Sequence, residues 1–497
     1  GTYFNASSAD SLTKSLKEVF NQIQIANSVF ASPALPMSAT SRNVSLNQVY
    51  LGMFRPDKNP RWFGNLKLYQ FALTKLDPND TSDNPEKTLV LVDSTGSVKV
   101  EDTSSGIIAK GAQSFWSDLS TFWNFRCMGP NGALEFADKD LCGDPITGSD
   151  APDGAVVEKG AAGQMLREAS TRNVYTCIGC TTQTNLGDTG TLFTTGNAAI
   201  TQAALNASST EERNAIINWV RGVDNISENT SVSNGARPSI PGDILHSQPL
   251  AINYNTSASN CADTAKLDKD VIVYYAGNDG LLHATKGGKN DITGAGTELW
   301  SFVPEEFFGN FKRVRDNAPA LLFPAPVPVP ETAEPYNKPY MIDGSLTAYA
   351  PDDNGDCKPD KVWLFVTLRR GGRTLYAFDV SNPASPKFKW KITNTGSFAE
   401  LGQTWSAAMP IKLADKSIGL VFGAIVGIIT AIRLYKKPKI RVWSSGVASE
   451  LSKVTWPDRE LVTRGTIIVI VASLIATVYV TILDRFWGFA TGLVYAP

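Results

Sequence analysis

Residues 274–304 and 364–393 carry one pattern twice, as YYAGNDGLLHAT followed by TELWSFVP and as LFVTLRRGGRTLYAFDVS followed by FKWKIT. In both copies an apolar strand reaches a Gly-rich turn, a second strand follows, and a strand with a central tryptophan closes the unit. Trp300 and Trp390 lie 90 residues apart, which corresponds to two β-propeller blades of about 40–50 residues each. The pattern therefore predicts repeated antiparallel sheets.

Strand signals recur outside these two units, for example in DILHSQPLAINY and KPYMIDGSLTAYAP. The chain has 40 Gly and 28 Pro, and charged residues make up 19% of it, a composition typical of a folded, turn-rich β protein. Four-stranded sheets repeated around an axis protect their edges. We therefore predict a mainly β fold, a β-propeller, with a two-sheet sandwich as the alternative.

The N-terminal half is predicted to be less regular. Residues 1–44 are interpreted as a helix and a linker, because residues 9–30 place apolar side chains at helical spacing. The propeller region covers 45–413, with an insertion at about 103–240 where short helices and loops alternate. The chain begins at Gly1 without an apolar leader, which predicts a terminus cut by processing or a fragment.

The six cysteines all precede residue 358, and an even number in Gly- and Asn-rich loops predicts disulfides formed outside the cytoplasm. Cys127 and Cys142 bracket a short loop and are predicted to pair. Cys177 and Cys180 form a CxxC that could be a disulfide, a redox motif or half of a zinc site. The sequence has no second CxxC and two histidines, which argues against zinc. A structural disulfide is the favoured interpretation.

The loop DDNGDCKPD, residues 352–360, is the sharpest local motif in the chain. Its side-chain oxygens at relative positions 1, 3, 5 and 9, with a backbone carbonyl at position 7, have the spacing that a calcium loop uses. The predicted calcium ligands are Asp352, Asn354, Asp356, Lys358 (through its carbonyl) and Asp360.

This loop departs from the EF-hand pattern at two positions. Cys357 stands at position 6, where an EF-hand has Gly, and Trp363 stands at position 12, where it has a bidentate Glu. The loop leads into the strand KVWLFV, which favours a calcium site inserted between strands. An acidic hairpin turn is the alternative.

The composition of the sequence changes at residue 417, from turn-rich β-like sequence to long apolar runs. Residues 417–432 and 465–483 are uncharged runs of 16 and 19 residues, which predict two transmembrane helices, the first extended by snorkelling Lys and Arg. A buried core helix is the alternative for the first run. From Lys412 onward the chain has 11 Lys and Arg against 5 Asp and Glu, whereas the remainder has 35 against 43.

The connection between the predicted spans contains five basic residues within residues 433–441, and the positive-inside rule places it in the cytoplasm. Both flanks then lie outside the cytoplasm, in agreement with disulfides in the β-rich part. The sequence thus predicts a bacterial inner-membrane protein with two spans, whose β-rich part and C-terminus face the periplasm or cell surface. Apolar residues at i+3 and i+4 from Ile440 to Val454 predict an interfacial amphipathic helix, which Pro457 ends.

Catalytic and nucleic-acid motifs are absent from the sequence. It contains no P-loop, GxGxxG or HExxH, and no nucleophile motif surrounds His246 or His283. We interpret both histidines as structural residues packed between blades. The pair Arg369-Arg370 is interpreted as part of a turn. We therefore predict a non-enzymatic protein that does not bind nucleic acid.

The C-terminal sequence ELSKVTWP, followed by Arg459, Glu460 and an apolar span closed by Asp484, closely resembles SecE, the small subunit of the general protein translocase. The resemblance covers residues 417–497. It implies an amphipathic helix along the cytoplasmic membrane face and a tilted span that clamps SecY, in a channel with SecG driven by SecA. The residues it implies for SecY binding are Glu450, Lys453, Val454, Trp456 and Pro457.

Residues 1–413 resemble the C-terminal region of PilY/PilC-type proteins of type IV pili. The matching pieces include RPSIPGDILHSQP, VIVYYAGNDGLLHA, GRTLYAFDVSNP and LGQTWSAAMPIKL. The resemblance implies a seven-bladed modified propeller with a calcium loop, acting in pilus-tip adhesion and in pilus extension and retraction, with pilus components or a host surface as partners. Further blades follow LGQTWS in that family, whereas membrane-like sequence follows here, so we expect an incomplete propeller.

Two alternatives to a two-part protein remain open at this point. One is a pilus-tip adhesin fragment with a membrane anchor at its C-terminus. The other is a quinoprotein-like propeller enzyme, favoured by the Trp-ended units but not by the lack of adjacent cysteines. Because the two resemblances belong to unrelated systems, a gene fusion, a frameshift and an artefact of sequence assembly are kept open as origins of the junction near residue 415.

Overall fold

The chain divides into two compact units, Gly1–Phe422 and Gly423–Pro497. The computed structural model describes only parts of the first unit, namely residues 29–30, 47–75, 86–100, 108–129, 131, 133–134, 139–142, 147–229, 235–257, 269–321, 337–412 and 418–421.

The described residues are mainly β. Their strands are β1 (Val29–Phe30), β2 (Gln48–Arg55), β3 (Phe63–Lys75), β4 (Lys87–Val92), β5 (Val174–Thr176), β6 (Thr184–Asn185), β7 (Leu250–Asn253), β8 (Val271–Ala276), β9 (Leu282–Lys286), β10 (Glu298–Val303), β11 (Leu346–Tyr349), β12 (Trp363–Thr367), β13 (Leu375–Asp379), β14 (Lys387–Ile392), β15 (Met409–Lys412) and β16 (Ile418–Val421). Their α-helices are α1 (Asn124–Cys127), α2 (Lys139–Cys142), α3 (Ala161–Glu168), α4 (Thr210–Val220) and α5 (Phe308–Asp316). Short 3-10 turns cover Thr189–Thr191, Glu305–Phe307, Arg369–Gly371 and Gly396–Phe398.

The first sheet is an antiparallel meander in the order β1-β2-β3-β4. Its central strands are apolar on both faces, because successive side chains of a strand point to opposite sides. In β2, Val49 and Leu51 join one apolar cluster and Tyr50 joins another. In β3, Tyr69 belongs to the first cluster and Leu68 to the second. The sheet is therefore covered on both faces.

The second and third sheets share one plan. The second has the order β5-β10-β9-β8-β7 and the third β11-β12-β13-β14-β6. Each is a four-stranded antiparallel meander of consecutive strands, to which a short strand from the segment 174–185 adds a fifth. The strand β5 pairs parallel to β10, whereas β6 pairs antiparallel to β14. The described residues form no closed ring of such sheets.

Apolar clusters connect the three sheets in sequence order. Val273 of β8 packs in one cluster with Leu68 of the first sheet. Its neighbour Tyr274, on the opposite face, packs in the largest cluster with Trp300 and with Phe378 of the third sheet. Burial on both faces explains why β8 reads VIVYYA without polar alternation, since each face needs apolar side chains.

The segment between the first and second sheets is integrated into the core. Tyr175, Phe193, Ile216 and Trp219 lie in the same apolar cluster as β8 and β13. The helix α4 begins with a capping interaction, in which the Ser209 side chain accepts a hydrogen bond from the Glu212 backbone N–H. The region predicted as an insertion of short helices and loops therefore also supplies strands and core side chains.

Two sequence predictions need correction. The spacing of Trp300 and Trp390 is not two blades, because β10 and β14 end consecutive sheets and the described residues between β10 and β11 form a helix and no strand. The first predicted span begins differently, because β16 pairs antiparallel with β15 instead of forming a helix. Pairing satisfies the backbone groups of β15, which favours a strand there.

The remaining membrane and N-terminal predictions cannot be compared directly with the structure. Of the predicted helix at 9–30, only Val29 and Phe30 are described, and they form β1. The rest of both predicted spans and the amphipathic helix also lie outside the described residues. Among the residues that are described, no helix has the length and apolar content needed to cross a membrane.

Candidate functional sites

The acidic loop 352–360 connects β11 to β12, so it lies between two neighbouring strands of the third sheet. Asp352 organises its first half. One carboxylate oxygen of Asp352 accepts the backbone N–H of Gly355 at 2.7 Å, and the other accepts that of Cys357 at 2.9 Å. These bonds wrap five residues of backbone around one carboxylate.

The other predicted ligands complete the wrapping. The Asn354 side-chain oxygen accepts the backbone N–H of Asp356 at 2.9 Å, and the Asp356 carboxylate accepts that of Lys358 at 2.9 Å. Asp360 closes the loop by accepting the backbone N–H of Asp353 at 2.6 Å. The structure therefore brings the predicted side chains into one loop but directs their oxygens at backbone N–H groups.

The backbone of this loop is bent at two residues with positive φ, Gly355 at 75° and Cys357 at 66°. Cys357 occupies the position at which an EF-hand places Gly for its sharp turn. It is disulfide-bonded, and its carbonyl accepts the side-chain N–H of Asn255 at 2.7 Å. In the part of the chain that the structure describes, no three His, Cys, Asp or Glu side chains converge as a ready metal site.

The cysteine predictions can be compared directly with the structure. Cys127 and Cys142 form a disulfide, and so do Cys177 and Cys180, so both predicted disulfides are confirmed. The second bridge borders a cleft of about 420 Å³ that Trp390 of β14 also lines.

His283 lies buried in β9 within a network of charged groups. Its Nδ1 lies 2.7 Å from Glu298 and its Nε2 lies 3.0 Å from Asp279. Since both ring nitrogens face carboxylates, both donate, which requires the protonated imidazolium. Burial alone would lower the pKa of His283, but Asp279 and then Glu298 raise it above its ordinary value.

Glu298 is the hub of this network. Arg172 donates to it through Nε at 2.7 Å and Nη2 at 2.9 Å, a two-bonded pair that joins residues 126 positions apart. Burial alone would raise the pKa of Glu298, but Arg172, followed by His283, lowers it to about 2. Sequence analysis interpreted His283 as structural and missed Arg172, because no local pattern links Arg172 to β10.

We expect Glu298→Gln to lower the free energy of unfolding by about 3 kcal/mol at neutral pH, the equivalent of moving a pKa from 4.5 to about 2. The pKa of this carboxylate is lower in the folded than in the unfolded state. Its contribution to the free energy of unfolding is therefore present above pH 4.5 and is lost as the pH falls towards 2. Urea unfolding across this pH range should therefore show wild type and variant converging at acid pH.

Glu400→Gln, at an exposed residue, is the control for this prediction and should follow the wild-type curve. The stabilisation from His283 has the opposite pH dependence. Because its pKa is raised in the folded state, it stabilises the fold below pH 6.5, and this stabilisation is lost as the pH rises through the folded pKa. A constant difference between wild type and Glu298→Gln down to pH 2 would contradict the assignment.

His246 makes a second, less buried pair. Its Nδ1 lies 2.8 Å from Asp343, and a quarter of its side chain remains exposed. The structure brings no nucleophile into hydrogen-bond contact with either described histidine. The predicted SecY-binding residues Glu450, Lys453, Val454, Trp456 and Pro457 lie outside the described residues.

Comparison with known proteins assigns the C-terminal segment. The family described as SecE/Sec61-gamma subunits of protein translocation complex matches residues 442–495. The protein translocase subunit SecE of Aquifex aeolicus (strain VF5) is 50% identical over 46 residues, which are 9% of this chain and 71% of that protein. The family match at residues 442–495 includes the predicted partner-binding residues.

The remainder of the chain is similar to pilus biogenesis factors. The type IV pilus biogenesis factor PilY1 homolog of Xylella fastidiosa is 30% identical over 238 residues, 45% of this chain and 17% of that protein. PilY1 of Pseudomonas aeruginosa (strain UCBPP-PA14) is 23% identical over 447 residues, 85% of this chain and 29% of that protein. The chain thus spans less than a third of these pilus relatives. No solved structure matches it.

Proposed function

We propose, on the premise that this chain belongs through residues 442–495 to the SecE/Sec61-gamma family, that its C-terminal segment acts as the SecE-type subunit of a protein translocase. The observation that carries the proposal is the 50% identity to a SecE over 71% of that protein's length. SecY would be the direct partner, clamped by the second span and contacted by Glu450, Lys453, Val454, Trp456 and Pro457, with SecG and SecA in the same channel. Rescue of a SecE-depleted strain by the full chain tests this.

The β-rich unit is proposed to act as a pilus-biogenesis module. Its similarity to PilY1 proteins supports this, and so does the repeated four-stranded meander, which is the unit from which propellers are built. The partner would be a type IV pilus component or a host surface. The unit would lie outside the cytoplasm at the inner membrane, where its disulfides are stable.

The loop 352–360 is proposed to bind calcium. Its carboxylate and amide oxygens suit a hard cation, and the positive φ of Cys357 gives the bend that an EF-hand loop makes at its sixth position. Asp352, Asn354, Asp356 and Asp360 would supply side-chain oxygens, and Lys358 its carbonyl. Bound calcium would neutralise the acidic loop and hold β11 and β12 in register.

We expect calcium at about 100 times its Kd to raise the free energy of unfolding of the full chain by about 2.7 kcal/mol. The expected effect is absent in Asp356→Ala, because one carboxylate ligand is lost. Asp353→Ala is the matched control, since this neighbouring acid stands at a position without a ligand role. Thermal unfolding in detergent with calcium or with a chelator measures the effect. An unfolding midpoint that is the same with calcium and with chelator would contradict calcium binding at this loop. Equal calcium responses of the two variants would contradict it as well.

A further inference from the structure

A small cavity lies beside the start of β3, where the residues before β3, the end of α4 and the segment before β7 meet. Its walls include Arg61 before β3, Trp219 near the end of α4, and Arg237 and Ser239 from the segment that leads to β7. The cavity measures about 10 Å³, which is room for one water-sized atom or ion. None of the roles proposed above uses these residues.

The walls of this cavity carry positive charge. Arg237 is buried, 3% exposed, and its guanidinium donates to the backbone carbonyls of Trp219, Ser239 and Ile240. Among the described residues no carboxylate is hydrogen-bonded to it, although the charges of Glu228 and Asp279 act on it from further away. Burial, and next the charge of Arg61, lowers the pKa of Arg237 to about 9. A buried guanidinium without a carboxylate is costly unless another anion compensates it.

Two guanidinium groups lie close to the Trp219 ring. The guanidinium carbon of Arg237 is 4.1 Å from the centre of the Trp219 ring, and that of Arg61 is 5.3 Å from it. Arg61 also pairs with Glu228 through one of its terminal nitrogens. Glu228 therefore pairs with one of two neighbouring cations, and its charge and that of Asp279 only partly offset the lowering of the Arg237 pKa.

Several hydrogen-bond donors at the cavity have no partner within the described part of the chain. They are Nε and Nη1 of Arg61, Nε1 of Trp219 and the hydroxyl of Ser239. Trp219 is 2% exposed and Ser239 7% exposed, so bulk water does not reach them freely. Indole and guanidinium N–H groups only donate. A water molecule accepts about two hydrogen bonds and must place its own hydrogens, whereas a monatomic anion accepts from every side.

We propose that this cavity is a binding site for a small monovalent anion, with chloride as the expected occupant. Arg61, Trp219 and Ser239 donate hydrogen bonds to the anion, and Arg237 contributes its charge. Asp279 also lines the cavity, but its oxygens already accept from the backbone N–H groups of Gly242 and Leu281 and from His283. The anion ties α4 to the segments before β3 and β7.

The test is thermal unfolding of the full chain in detergent, with sodium chloride, bromide or gluconate at one ionic strength of about 0.15 M. Chloride and bromide are expected to raise the midpoint in a saturable way, whereas gluconate, too large for the cavity, does not. Trp219→Phe keeps the ring and removes the N–H. It is expected to raise the half-saturating chloride concentration about tenfold, the effect of one hydrogen bond to a charged group.

Trp300→Phe is the matched control, because its indole N–H donates to the Pro383 carbonyl at 2.7 Å, away from this cavity. It is expected to retain the chloride response, whatever its effect on the midpoint itself. Equal midpoints in all three salts would mean that salt acts only by screening charges, or that a water molecule fills the cavity. Either result would overturn the proposal. So would an unchanged chloride response in Trp219→Phe. If Trp219→Phe does not fold, Ser239→Ala gives the same test with a smaller change.

Discussion

We expect the full-length chain to restore growth to a bacterial strain depleted of SecE, where an empty plasmid gives none. Residues 442–495 match the SecE family, and the resemblance to SecE implies an interfacial helix followed by a span, both of which the sequence predicts here. Lys453→Glu is expected to abolish the rescue, because it reverses a charge in the ELSKVTWP motif that the resemblance assigns to SecY contact. Colony counts after depletion measure both results.

Lys436→Gln is the control for this experiment, since it changes a basic residue outside the matched region and should still rescue. An intact-mass measurement of the membrane fraction must show the joined chain. Failure of the full chain, although it is present in the membrane at its full mass, would contradict the translocase assignment. Rescue by Lys453→Glu equal to wild type would remove the motif from the SecY contact.

The second large effect is expected at a buried ion pair between β3 and the segment before α3. Lys67 and Asp153 are both 0% exposed, and the Lys67 ammonium lies 2.7 Å from the carboxylate. The ammonium also donates to the carbonyls of Gly154 and Val156, and Asp153 accepts the Ser114 backbone N–H at 2.7 Å. Asp153→Ala should lower the free energy of unfolding by about 3–5 kcal/mol, because it leaves a buried charge without its partner.

The matched control is Asp291→Ala. Asp291 lies 3.3 Å from Lys269, but the two side chains are 65% and 44% exposed, so removing this pair should cost less than about 1 kcal/mol. The double variant Lys67→Met/Asp153→Leu should recover at least half of the loss, since it removes both charges. Urea unfolding followed by tryptophan fluorescence measures all three. Equal losses at Asp153 and Asp291 would contradict the argument.

The four-stranded meanders of the second and third sheets were predictable because most of their strands are short runs rich in apolar residues between turn residues. Both faces of β8 and β13 are buried, so tertiary packing strengthens the local preference. The loop 352–360 was placed between strands for the same reason, since it joins YMIDGSLTAYAP to KVWLFV. The SecE segment was identifiable from its motif, which the family match confirms.

The remaining features depend on contacts between residues far apart in sequence. The strands β5 and β6 are three and two residues long, too short to show a period, and exist because β10 and β14 offer them a free edge. The pairing of Arg172 with Glu298 has no local signal either. The strand β16 was predicted as part of a span because four apolar residues fit a helix or a strand equally well.

The fifth strand of the second sheet has a consequence for synthesis. The Thr176 hydroxyl of β5 donates to the Val303 carbonyl of β10, 127 residues later. At about 5–20 residues per second, roughly 6 to 25 s pass between the emergence of β5 and that of its partner. During this interval the apolar side chains of the upstream segment have no sheet to cover them, so a chaperone or the translocation channel itself would have to shield the nascent chain from aggregation.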